Sequence, residues 1–70
     1  MINPFESLPV AGFTRPREVA RLLGVSVPTA YAWSRAGILP PIFKIGPRAS
    51  GIPNLGLRQY GARLIDEALR

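Results

Sequence analysis

The 70-residue chain carries nine basic side chains, eight of them arginine, against four acidic ones, a net charge of +5, and has neither cysteine nor histidine. A chain this short buries only about 60% of its unfolded surface, so it forms one small domain and any activity sits on its surface. Without Cys or His the commonest zinc, iron and copper sites and the usual nucleophile–base pairs have nothing to build on, and no metal or cofactor is expected. The carboxylates are Glu6, Glu18, Asp66 and Glu67. Asp66 and Glu67 are adjacent and point about 100° apart on a helix, so they do not converge as a glycosidase acid pair does, and no enzyme is expected. The apolar fraction of 47% is that of a globular domain. No apolar run approaches the ~20 residues of a membrane span, and no basic stretch leads into a continuous apolar one at the N-terminus. A cytoplasmic protein with no membrane partner is the expectation.

Residues 1–13, with two prolines and a glycine, are expected to form an arm ahead of a domain over 14–70. Asn3-Pro4 with Glu6 has the chemistry of a short helical start, with Phe5 and Leu8 on one face and Pro9 ending it. Such an arm either docks or frays. Thr14–Leu23 reads as the first helix: Thr14 or Arg15 caps it, Pro16 fits the first turn, and Val19, Leu22 and Leu23 give a buried face. Gly24 supplies the left-handed conformation that ends it.

Ser26 is placed to cap a second helix running to Gly37, in which Val27, Ala30 and Trp33 face the first helix. Thr29, Tyr31, Ala32, Ser34 and Arg35 fall on the opposite face. Ile38 and Leu39 continue the core, and Pro40-Pro41 forces extended chain. In Ile42–Gly46 the alternation puts Phe43 and Ile45 on a half-buried face and Lys44 on the other. Gly46-Pro47-Arg48 is a turn, Ala49–Ile52 the return strand of a hairpin, and Arg48 stands at its tip. Asn54 is a candidate cap for a last helix in which Leu57, Tyr60, Leu64 and Ala68 recur at helical spacing, with Leu55, Gly61 and Ile65 beside them. Gly56 and Gly61 weaken that helix by ~1 kcal/mol each if interior.

The charge is concentrated centrally. Between Thr14 and Arg63 lie Arg15, Arg17, Arg21, Arg35, Lys44, Arg48, Arg58 and Arg63, with Glu18 the single acid. Arginine's planar fork matches phosphates and guanine edges, which points to a polyanion partner; a merely solubilising basic surface is the alternative. The fold class this pattern implies is mainly α with a small β-hairpin, a winged helix-turn-helix.

Residues Arg17–Gly51 resemble the AlpA and phage-excisionase group of small winged-helix proteins, related to the DNA-binding domain of MerR regulators. The resemblance lies in Glu18–Ser26 as the first half, Thr29–Trp33 as the recognition helix, Gly37–Pro40 as its exit and Lys44–Arg48 as the wing. It implies double-stranded DNA binding, with the second helix in the major groove and the wing at the minor groove. The role implied is transcription control or recombination directionality, in the bacterial cytoplasm or nucleoid. Two departures stand out: the family often has basic residues near Val27 and Ala32, and often a Trp and a charged helix after the wing glycine, where this chain has Ile52 and an arginine-bearing apolar helix.

Seven residues are candidates for DNA contact. Ser26 and Thr29 can offer hydroxyls and backbone N–H groups at the helix start, alongside capping. Tyr31 can bond a phosphate or meet a thymine methyl, or pack partly into the core. Arg35 and Lys44 are placed for backbone phosphates, and Arg17, with Arg15, for the adjacent strand. Arg48 can enter a narrow, negative minor groove. Phe5, Leu8 and Val10 in the arm and Leu64, Ile65 and Leu69 in the last helix offer apolar surface for self-association on DNA. The alternative is a protein-interaction adaptor that binds integrase or RNA polymerase without base readout.

Overall fold

The structure, a computed structural model, describes residues 2–69. Among these the order is β1 (Phe13–Thr14), α1 (Pro16–Leu23), α2 (Val27–Arg35), β2 (Phe43–Gly46), β3 (Ala49–Pro53) and α3 (Asn54–Ala68). The strands form one antiparallel sheet, β1-β3-β2, so the expected hairpin gains a third strand from the N-terminal segment. The fold is the mainly α, winged helix-turn-helix architecture read from the sequence.

Three turns follow the local chemistry. Gly24 adopts φ +71°, and the Val25 N–H closes back on the Ala20 carbonyl at 3.0 Å, ending α1 as only a residue tolerant of the left-handed region allows. Ser26 caps α2 by accepting from the Thr29 N–H at 3.2 Å. Gly37, at φ +79°, turns the chain out of α2.

The core joins all the layers: Phe5, Val19, Ala20, Ala30, Leu39, Ile52, Leu57 and Tyr60 are buried, with Leu8, Leu22, Leu23, Val25, Val27, Trp33 and Ile42 packed around them. Ile38, expected to continue this core, is exposed, because the turn at Gly37 brings Leu39 inward instead. Burial pushes the Tyr60 phenol above its ordinary pKa.

The N-terminal segment is a docked part of the domain. Asn3 Oδ1 accepts from the Phe5 N–H at 2.9 Å, setting the expected turn, and Phe5 is fully buried. Phe5 is therefore core and offers no surface for self-association, while Leu8 is half-buried against the same cluster. From α3, Arg58 Nη1 donates to the Glu6 and Leu8 carbonyls at 2.5 and 2.8 Å, and its own carbonyl accepts from Asn3 Nδ2 at 3.1 Å. Gly61 makes this approach possible, since a Cβ there would overlap Asn3 Oδ1. A glycine that weakens the isolated helix is the residue that lets the arm lie on it.

Two expected caps are different in the fold. Thr14 lies in β1 and Arg15 precedes α1 without a side-chain cap bond. Asn54 is the first residue of α3, preceded by Pro53. Its side chain faces the N-terminal segment: it accepts from the Thr14 hydroxyl at 2.5 Å and donates to the Ala11 carbonyl at 2.9 Å. Its backbone N–H donates to the Gly12 carbonyl at 2.9 Å. Two side-chain bonds to residues 11–14 thus take the place of one cap bond.

Truncating Phe5 to Ala should destabilise the protein by about 3–5 kcal/mol, measured by urea unfolding; a change under 0.5 kcal/mol would mean the arm is not part of the core. Asn54→Asp, which keeps the shape but loses the donor to Ala11, should lower stability by about 1–3 kcal/mol. Amide exchange over residues 10–14 should rise with it.

Candidate nucleic-acid interface

The helix-turn-helix is built by α1 and α2 around Gly24–Ser26, with Ala30 fully buried where the helices meet. That contact decides which side of α2 faces outward. Pro28, Tyr31, Ala32 and Arg35, spaced i, i+3, i+4 and i+7, share one face and all are exposed. Thr29 is half-buried, and its hydroxyl lies 2.8 Å from that of Ser26. Pro28 has no N–H, and the Thr29 and Ala30 N–H groups bond to Ser26, at 3.2 Å to Oγ and 3.0 Å to the carbonyl. The helix start thus presents an anion with fewer backbone donors than its sequence promised.

Ser34, expected on the outward face, points inward. Its hydroxyl donates to the Pro40 carbonyl at 3.2 Å and accepts from the Ile42 N–H at 3.1 Å. With Ile42 half-buried against the core, these bonds fasten the last turn of α2 to the chain entering the wing. α2 and the wing are therefore tied together at Ser34. No sequence periodicity signals this, because Ser34 bonds to backbone atoms six and eight residues away.

The wing is β2, the Pro47-Arg48 turn and β3, so Arg48 stands at the tip and is exposed as expected. Its sidedness is the reverse of the expectation. Thr14 pairs with Ile52 on the core face, and strand alternation places Ser50 and its partner Lys44 on that side too. The hairpin extends past the core, so Lys44 stays exposed. Phe43 and Ile45 consequently lie on the outer face, 50% and 45% exposed, beside Phe13 at 50%. Gly51 sits beneath them: a Cβ there would come within 2.9 Å of Phe13 Cβ and 3.2 Å of Ile45 Cδ1. Period-two alternation separates the two faces but does not say which is covered.

The structure also sorts the cations. Arg21 is paired with Glu18 through both guanidinium and carboxylate, which holds Glu18 below the usual carboxylate range and raises Arg21. Arg58 is taken up by the arm. Arg17, Arg35, Lys44 and Arg48 are exposed, and among the described residues they make no ion pair with a carboxylate. Within those residues no cluster of carboxylates suited to a metal ion is present, and no helix is long and apolar enough to cross a membrane.

This geometry agrees with the comparison to known families. The helix-turn-helix domain family matches residues 15–67, and the chain belongs to it, the family of AlpA and excisionase-like small DNA-binding domains. Its class is thus that of a small DNA-binding module, typically non-enzymatic. No curated protein and no solved structure matches the chain.

Replacing Ser34 with Ala removes both bonds and leaves the half-buried Ile42 N–H without its acceptor. The expected loss is about 1–3 kcal/mol in thermal or urea unfolding. Amide exchange at Ile42 should accelerate more than at Ile52; equal acceleration at both would show that Ser34 does not hold the wing locally.

Proposed function

We propose that the protein binds double-stranded DNA with α2 in the major groove and the Arg48 wing at the minor groove. The observation that carries this is the distribution of cations: Arg21 is neutralised by Glu18 on the surface and Arg58 is bound by the arm, while Arg17, Arg35, Lys44 and Arg48 are exposed on the helix-turn-helix and wing and Arg63 on α3. Arg15, exposed just before α1, adds a fifth to those on the helix-turn-helix and wing. Arg48 supplies the minor-groove contact, Arg17, Arg35 and Lys44 the phosphate contacts, and Ser26, Thr29 and Tyr31 the edge of the helix that enters the groove.

One domain with so few base-reading groups covers little sequence, so several copies act on adjacent sites. Of the apolar residues expected to meet another copy, Val10 in the arm, Leu64 on α3 and Leu69 just beyond it are exposed, and Leu8 and Ile65 are half-buried. The role is that of a transcriptional regulator or excisionase of the phage or mobile-element type, working in the cytoplasm. Integrase or RNA polymerase is the accompanying protein partner. Protection of an attachment site in a footprint points to recombination, and protection of a promoter to transcription.

With about five phosphates neutralised, log K for a duplex should fall with log salt at a slope of about −4 to −5. Arg48→Ala should weaken binding and reduce the slope by about 1. Titrations by fluorescence anisotropy at several salt concentrations measure both. A wild-type slope near zero would overturn the reading and favour an adaptor that binds protein through the same face.

A further inference from the structure

The outward face of α2 is short of hydrogen-bonding groups for a surface that enters the major groove. Pro28 and Ala32 carry no polar side-chain atom, Tyr31 is a ring with one hydroxyl, and Arg35 lies a turn further on. The Ser34 hydroxyl is taken up by the chain entering the wing, and the Ser26 and Thr29 hydroxyls, bonded to each other, lie at the start of the helix away from the middle of this face. No Asn, Gln, Asp or Glu occurs in α2, so the side chains that pair with adenine or accept from cytosine are missing from it. In the major groove one base-pair feature is apolar, the C5-methyl group of thymine.

We propose that α2 selects its site through thymine methyl groups, with Tyr31 and Ala32 packing on them. This rests on the duplex-binding reading above and names the sequence class it recognises. Tyr31 and Ala32 project about 100° apart from the exposed side of α2, so each meets a different methyl. Arg35 follows Tyr31 by four residues, about 6 Å along the axis at 1.5 Å per residue. The recognised element is therefore a short thymine-bearing run with a cation contact at one end. The apolar face has little affinity for the amino and carbonyl edges of G·C pairs, which it would desolvate without replacing their bonds.

The test uses a 30-base-pair duplex, enriched from a random library by the wild-type protein, and the same duplex made with uracil for every thymine. Uracil keeps the pairing and hydrogen-bonding edges and removes only the methyls. The uracil duplex should bind about fourfold more weakly per methyl contacted, so about tenfold or more for two. In Tyr31→Ala and Ala32→Ser, each checked for folding by circular dichroism, the thymine-to-uracil ratio should shrink towards one. Equal wild-type affinity for the two duplexes overturns the proposal while leaving DNA binding intact. A ratio unchanged in both variants also overturns it, since other residues would then be reading the methyls. Failure to bind either duplex, or to enrich any, sinks the duplex-binding reading itself.

Discussion

The fold depends on the tie between the N-terminal segment and the start of α3. Asn54 is buried and commits its side-chain oxygen, side-chain nitrogen and backbone N–H to residues 11–14. Those bonds place β1 against β3, make β3 the central strand and aim Ile52 into the core. Arg58 and Gly61, one and two turns along α3, carry the same chain segment back over the helix until Phe5 is buried. A domain of this size has little core to spare, and an arm that contributes a fully buried phenylalanine is part of its minimum structure.

That constraint reaches the candidate interface. With Ile52 directed inward, the hairpin's other face must look outward, so Phe43 and Ile45 join Phe13 in the solvent while Lys44 takes the inner side beyond the core. The wing is then joined to α2 through Ser34. Apart from the paired Arg21 and the arm-bound Arg58, most of the described cations lie at the start of α1, on α2 and on the wing, with Arg63 exposed on α3. The same bulk charge thus separates into cations with a partner in the fold, Arg21 and Arg58, and exposed cations that pair with no carboxylate among the described residues. The surface pair Arg21–Glu18 adds little stability, being solvent-screened, but it offsets the charge of one exposed cation.

Much of the helix-turn-helix was legible because its signals are local. Gly24 needs no partner to prefer a left-handed turn, Ser26 caps a helix three residues away, and the Val27, Ala30, Trp33 spacing marks one side of α2. The Arg48 tip follows from Gly46-Pro47 in the same way. The misread residues are those whose partners are remote. Thr14 and Asn54 both look like caps, yet they bond each other across forty positions. Phe5 looks like a loose apolar residue because the groove that takes it is made by residues more than ten positions on.

The sequence by itself determined the class of fold, the turn chemistry, the helix pair and the arginine-rich character of the surface, since each arises within a few residues or from composition. Only tertiary structure decided that the arm is core, that a two-residue strand completes the sheet, which face of the wing is covered, and which cations remain exposed. Those outcomes depend on competition for buried partners. A side chain able to bond locally will bond at a distance when burial removes water as the alternative acceptor.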